Sequence, residues 1–109
     1  MSYLLFLDDL RVPTQVSWVR LPRGNWVIAR NYRQFVERIE TLGLPHFISF
    51  DHDLGMAHNG HDCAKWLVNY CLDNEESLPE FEVHSTNPVG AVNISQFLLA
   101  ARRAMASND

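Results

Sequence analysis

Basic residues, cysteines and long apolar runs are all scarce in this sequence. Nine Lys and Arg residues stand against thirteen Asp and Glu residues, which gives a formal net charge of −4. Binding along nucleic-acid backbones needs a broad basic face, so we expect no extended DNA binding. No apolar run reaches the length of a membrane span, and the N-terminal residues lack the basic and apolar regions of a signal peptide. The sequence therefore favours a cytoplasmic protein that does not bind membranes.

The two cysteines, Cys63 and Cys71, fall within one helical pattern. Eight residues of helix span roughly 12 Å, which is too far for a disulfide, so both are predicted to be reduced core residues. With 109 residues, an apolar fraction of 47% and no internal repeat or linker, the chain is expected to form one domain over residues 1–109. The sequence leaves its oligomeric state open.

Apolar runs that are typical of buried strands alternate with helical patterns. The predicted strands are Tyr3–Leu7, Trp26–Ala29, Phe47–Phe50 and Phe81–Val83. The predicted helices are Tyr32–Leu42, a second from Asn59 or Gly60 to about Asp73, and a third from Pro88 to about Ala104. No convincing helix is found between Leu10 and Asn25. This alternation predicts a parallel α/β sheet of about four strands with helices on both faces, and we take the strand order to be 2-1-3-4.

Polar side chains follow three of the four predicted strands at the point where each strand ends. Asp8-Asp9 follows the first strand, Asp51-His52-Asp53 the third, and His84-Ser85 the fourth. In the order 2-1-3-4 these strands are neighbours, and their carboxyl ends span roughly 10 Å. Ligands bind at this edge of parallel sheets, so we expect one site there, of a size that suits a phosphate group.

Carboxylates form the first part of the expected site. Asp8, Asp9 and Asp51 would suit Mg²⁺ or another divalent cation, since Mg²⁺ prefers one or two carboxylates together with water and phosphate. The alternative is that some of them cap the following turns or pair with Arg11.

Histidines form the second part of the expected site. His52 and His84, facing each other across a pocket, would suit general acid and general base catalysis near neutral pH, with Asp51 and Asp53 orienting an imidazole. If the strand geometry persists, Asp51 and Asp53 lie on one side and His52 on the other. The alternative for either histidine is a single structural hydrogen bond.

Four further residues are candidates for binding a phosphate. The guanidinium of Arg11 could bind phosphate oxygens. A helix N-terminus attracts anions, and Ser85, Asn87 and Asn93 lie at or near the start of the last helix. Asn87 is also expected to cap the last helix. His58 and His61 flank a loop and are predicted to be solvated rather than metal ligands. Core packing is favoured over base stacking for the tryptophans Trp18, Trp26 and Trp66.

Three motifs together resemble the cyclic-phosphate processing receiver domain family. They are Leu7-Asp8-Asp9-x-Arg11-x-Pro13, Ser49-Phe50-Asp51-His52-Asp53-Leu54-Gly55 and His84-Ser85-x-Asn87-Pro88-x-Gly90-x-x-Asn93. The resemblance implies a reduced receiver/flavodoxin-like three-layer sandwich. It also implies a role in processing cyclic phosphates, either at RNA ends or in cyclic nucleotides.

The sequence leaves three functions open. The first is a phosphoesterase, a hydrolase acting on a cyclic phosphodiester through the two histidines. The second is a receiver-like module that binds a cyclic nucleotide or a partner protein without turnover. The third is phospho-signalling with Asp51 as acceptor, but a signalling receiver needs a Lys at the end of a fifth strand. The single lysine here, Lys65, falls in a predicted helix.

Overall fold

A computed structural model describes residues 2–107 of the chain. Within that range the strands are β1 (Leu4–Leu7), β2 (Trp26–Ala29), β3 (Phe47–Phe50) and β4 (Glu80–Val83). The α-helices are α1 (Tyr32–Leu42), α2 (Gly60–Asp73) and α3 (Pro88–Ser107), and Pro13–Gln15 forms one turn of 3-10 helix. All strand pairs are parallel and the order is β2-β1-β3-β4, which confirms the predicted sheet.

The boundaries differ from the prediction at three points. β1 starts one residue later than predicted, at Leu4, and the hydroxyl of the preceding Tyr3 donates to the Gly43 carbonyl at 2.6 Å. β4 starts one residue earlier, at Glu80. α3 continues to Ser107, past the predicted end near Ala104, because the sequence there is rich in good helix formers and contains no Gly or Pro stop.

Local capping explains where α1 and α2 begin and end. The Asn31 side chain accepts from the Gln34 N–H at 2.9 Å and starts α1, and Gly43 ends it with φ of +83°. Asn59 and Asp62 exchange hydrogen bonds at the start of α2, a capping box that places the Asp62 charge in the first turn.

The three α-helices form one layer on one face of the sheet. α1 packs against α2, and α2 packs against α3. Strand residues on this face, such as Leu5, Leu7 and Phe50, join the same buried core as Phe35 of α1. Both cysteines lie free in this core, as predicted. Right-handed crossovers from β2 to β3 and from β3 to β4 run in the same direction, which places their helices on the same side.

The opposite face is covered by the irregular segment 10–25. Its 3-10 turn is the only helical structure in this segment. The helices expected on both faces are therefore three α-helices on one face and this single turn on the other. Leu4 and Phe6 of β1 are buried on this side, and Trp26 and Phe47 meet edge to face with ring centroids 6.1 Å apart. Among the described residues, no helix has the length and apolar character needed to cross a membrane.

Candidate functional site at the carboxyl edge of the sheet

Asp8, at the end of β1, lies at the centre of a buried hydrogen-bond network. Its Oδ1 accepts from the backbone N–H groups of Leu10 and Arg11, both at 2.8 Å. Its Oδ2 accepts from Arg11 Nη1 at 3.0 Å and from His84 Nε2 at 2.9 Å. Burial favours a raised pKa for Asp8, but these hydrogen bonds outweigh burial and lower its pKa below the ordinary value. Asp8 is therefore an ionised carboxylate with four donors.

His84, at the end of β4, is fully buried beneath this carboxylate. Its ring stacks on Phe6, with centroids 4.5 Å apart and planes within 5°. Burial lowers the pKa of His84 even though Asp8 opposes the shift, so the ring is neutral near pH 7. Nε2–H donates to ionised Asp8, and Nδ1 therefore accepts from the Ser49 hydroxyl at 2.6 Å. Both ring nitrogens are engaged, so His84 positions Asp8 and does not open onto a pocket.

Asp51, at the end of β3, differs from Asp8 in having few donors. The His52 N–H donates to its Oδ1 at 2.9 Å, and no bond to its Oδ2 is found among the described residues. Burial, followed by the nearby charge of Asp8, raises the pKa of Asp51 to about 6. The Asp9 charge adds to this effect, and Arg11 opposes it. Asp51 is thus a buried carboxyl group that exchanges a proton close to neutral pH.

The carboxylates fit a divalent cation in part. One ligand atom each from Asp8, Asp51 and His84 lie within 4.8 Å of one another. However, His84 Nε2 is already bonded to Asp8, whose oxygens hold four donors. Asp51 is better suited, because no hydrogen bond to its Oδ2 is found among the described residues. Asp9 is a further, partly exposed carboxylate, close enough for its charge to raise the pKa of Asp51.

A second chain of polar groups links the end of β3 to the start of α3. His52 Nδ1 bonds Asp53 Oδ1 at 2.9 Å, and the Asn87 amide bonds both oxygens of Asp53, at 3.3 and 3.5 Å. The His52 Nδ1–H donates to the Asp53 carboxylate, and this hydrogen bond is the main reason why the pKa of Asp53 is lowered. In this tautomer Nε2 bears the lone pair. The His52 side chain is 18% exposed, which leaves this imidazole accessible.

Gly90 of α3 makes room for the His52 ring. A Cβ at position 90 would lie 2.4 Å from His52 Cγ, so any larger residue would displace the imidazole. Gly90 itself is fixed by the Asn87 side chain, which accepts from its N–H at 3.0 Å and caps α3, as predicted. The start of α3 thus contributes both a surface for the ring and the amide that holds Asp53.

The two histidines do not face each other as the sequence suggested. The extended geometry ends at Asp51, where the chain bends, so Asp53 turns back onto His52 instead of lying beside Asp51. Asp51 lies with Asp8 and His84, whereas His52 lies against α3. The expectation of two imidazoles across one pocket is therefore wrong for His84, which is enclosed by Phe6 and Ser49.

Arg11 connects the buried network to the surface. One of its nitrogens bonds Asp8, its guanidinium stacks over Trp18 at 5.2 Å, and its side chain remains 29% exposed. Trp18 donates from Nε1 to the His84 carbonyl at 2.7 Å and is 47% exposed. Core packing was thus the wrong expectation for Trp18, because the covering segment 10–25 is too short and irregular to enclose it. Arg11 makes the expected ion pair and retains donors for an anion.

The remaining phosphate candidates are less engaged. Ser85 accepts from the Asn87 N–H at 3.1 Å, so that backbone donor is already used. Asn93 is exposed on α3, and no hydrogen bond ties it to the site in the part of the chain described. Sequence reasoning missed the roles of Ser49 and Gly90. Strand alternation places Ser49 on the same face as His84, and that signal was available in the sequence.

The strand order and the acidic strand ends define a receiver-like α/β domain. The cyclic-phosphate processing receiver domain family matches residues 3–100, and the chain belongs to that family. A solved structure of a yeast Spc42 trimeric coiled-coil segment fused to another structure is similar in fold, with a TM-score of 0.53 and 18% identity over 98% of this chain and 83% of that one. No match is found among curated proteins.

Proposed function

We propose that this domain is a phosphoesterase that hydrolyses a cyclic phosphate, either at an RNA 2′,3′-cyclic end or in a cyclic nucleotide. The family membership supports the substrate class. The observation that carries the catalytic part is the Asn87–Asp53–His52 chain, which orients an imidazole that remains partly exposed. A carboxylate-oriented histidine with one free nitrogen is a common device for proton transfer.

In this proposal Asp51 takes the role that the sequence assigned to His84. Water attacks phosphorus, the bond from phosphorus to one ribose oxygen breaks, and that oxygen receives a proton to give a phosphomonoester. The step needs one group that accepts a proton and one that donates it. His52 and Asp51 are adjacent in the chain, and a pKa of about 6 keeps a fraction of Asp51 protonated near neutral pH. His84 acts indirectly, because its bond to Asp8 holds that charge beside Asp51.

Negative charge that develops on the phosphate needs compensation. Arg11 is a partly exposed cation at the site edge and would supply it. A divalent cation held by Asp51 and Asp9 would also neutralise the phosphate oxygens; with the cation bound, Asp51 would be ionised and would serve as a ligand instead of a proton donor. Asp8, named with them from the sequence as a metal ligand, serves in this proposal as an outer carboxylate that orients Arg11.

Hydrolysis of a 2′,3′-cyclic nucleotide, followed by ³¹P NMR, tests the proposal. The parent protein should convert the cyclic phosphate to a monoester, and His52→Ala should be about 10²- to 10⁴-fold slower, the usual contribution of a general acid or base. His46→Ala is a matched control, because His46 is an exposed histidine before β3, at the other edge of the sheet. Absence of turnover in the parent, or equal rates for His52→Ala and the parent, would overturn the proposal.

A binding module without turnover is the second candidate. It is favoured by the burial of His84, which leaves one accessible imidazole at the site where the sequence predicted two. Saturable binding of the cyclic nucleotide with no monoester formed, in the presence or absence of Mg²⁺, would support this alternative. Phospho-signalling is disfavoured, because the sheet ends at β4 in residues 2–107 and Lys65 is exposed on α2.

A further inference from the structure

A cleft of about 400 Å³ lies beside the candidate site, between the start of α1 and the loop that joins β3 to α2. It is lined by Asn31, Tyr32, Arg33, Met56, Ala57 and His58. The same loop borders the site, since a Cβ at Gly55 would lie 3.3 Å from Asp9 Oδ2. The loop residue that approaches Asp9 thus directly precedes Met56, which lines the cleft, and the cleft volume falls in the range of pockets that hold small organic ligands.

Aromatic rings form the wall of this cleft. His58 stacks on Tyr32, with centroids 4.4 Å apart and planes inclined by 29°. The His58 side chain is 59% exposed, so the ring face away from Tyr32 is open to solvent. Tyr32 is half-buried against the core and supports His58 from behind. Met56, which is 68% exposed, adds a flexible apolar side chain.

We infer that this cleft binds the nucleobase of the substrate, with the base stacked on His58. This inference rests on the proposed function, because it assumes that the cyclic phosphate lies at Asp51 and His52. In a nucleotide, the ribose joins the base to the phosphate. In this structure, the loop that lines the cleft with Met56, Ala57 and His58 approaches Asp9 at Gly55. Every base has a flat apolar face, so an aromatic platform suits a base and has no comparable use for a bare phosphate.

The polar groups at the rim also suit a nucleobase. Asn31 uses its side-chain oxygen to cap α1, so that cap leaves its amide hydrogens free to donate to a base edge. Arg33 is exposed beside the aromatic pair and offers a further planar donor. His58 is itself placed by Asp62, whose Oδ2 lies 3.6 Å from His58 Nδ1. The cleft therefore combines a stacking surface with donors in its rim.

Binding of two ligands that differ in the base tests the inference. The ligands are 2′,3′-cyclic AMP and the 2,3-cyclic phosphate of methyl ribofuranoside, which lacks a base, with ³¹P NMR of the same samples reporting any hydrolysis. The parent should bind the nucleotide about 5- to 150-fold more tightly, the ratio expected from stacking one base. His58→Ala and Tyr32→Leu should each reduce this ratio severalfold while binding of the base-free ligand stays within about twofold.

His46→Ala is the control for loss of an exposed histidine, and it should keep the full ratio. Equal binding of both ligands by the parent, or an unchanged ratio in both cleft variants, would overturn the inference. Hydrolysis tests the proposed function separately. If the parent hydrolyses both ligands but binds them with equal affinity, the domain is a phosphoesterase and the cleft does not bind the base. An oligoribonucleotide ending in a 2′,3′-cyclic phosphate is a third arm. If it shows the same dependence on His58, the cleft accepts the terminal base of an RNA as well as that of a free nucleotide.

Discussion

Replacement of His84 by Ala should destabilise the fold strongly. The ring is fully buried, stacks on Phe6, and bonds Ser49 and Asp8 through its two nitrogens. Removing it leaves the Ser49 hydroxyl without its partner and takes one donor from a buried, ionised carboxylate. Each buried group left without its partner costs about 1–3 kcal/mol, and the cost is larger when that group is charged, as Asp8 is.

A loss of about 3–5 kcal/mol in the free energy of unfolding is therefore expected for His84→Ala. Domains of this kind are stable by about 5–15 kcal/mol, so the variant would be close to unfolding at room temperature. His52→Ala provides the contrast, because its ring is partly exposed and packs on a glycine, and it should lose less than about 1 kcal/mol.

Guanidinium chloride unfolding, followed by tryptophan fluorescence, measures both variants. Trp18 bonds the His84 carbonyl and reports directly on this region. If His84→Ala unfolds within 1 kcal/mol of the parent, then the buried network does not hold the carboxyl edge together and our assignment of His84 is wrong. His84→Gln should recover part of the loss, since its amide can both donate to Asp8 and accept from Ser49.

Three other substitutions test individual contacts. Gly90→Ala places a Cβ 2.4 Å from the His52 ring, so it should abolish most hydrolysis while changing the unfolding free energy by less than about 1 kcal/mol; parental activity would contradict the placement of the ring. Gly60→Ala directs a Cβ to 1.8 Å from the Asp51 carbonyl oxygen, a backbone atom, and should cost about 1–3 kcal/mol in chemical unfolding; a parental midpoint would rule out this close approach. Asp51→Asn should remove a pH dependence. Burial and Asp8 raise the pKa of Asp51 from 3.8 to about 6, so between these pH values the folded state binds more protons and stability falls as pH rises. The stability of Asp51→Asn relative to the parent should therefore increase from pH 4 to pH 6 and stay constant above, by at most about 3 kcal/mol and less with solvent screening; parallel pH curves would disprove the raised pKa.

Much of the fold could be predicted from the sequence because its signals are local. The apolar runs of β1 and β3, the Asn31 cap and the Gly43 stop act over a few residues, and each was placed within a residue. The parallel sheet followed from the alternation of strands and helices, and the strand order 2-1-3-4 is confirmed by the structure. The difference between the two faces of the sheet was harder to predict, because segment 10–25 has no periodic pattern that indicates how it packs.

The residues of the candidate site could be predicted from the sequence, but their positions relative to one another could be predicted less well. Strand ends at one edge brought Asp8, Asp51 and His84 within reach of each other, as expected. Whether a side chain there is buried or open depends on a bend of a few residues, such as the one after Asp51, and on contacts that are distant in sequence. The bond from Ser49 to His84 spans 35 residues: strand alternation predicts that both side chains lie on one face of the sheet, but it does not predict that they meet.

Chemical rescue by imidazole tests the central claim, that His52 and not His84 meets the substrate. The hydrolysis of 2′,3′-cyclic AMP by His52→Ala and by His84→Gln would be measured with increasing imidazole in the buffer. An accessible site left by His52 should admit imidazole and recover activity in proportion to its concentration, whereas His84→Gln, with its buried position, should show no recovery. Rescue of His84→Gln, together with none for His52→Ala, would contradict the assignment of the two histidines.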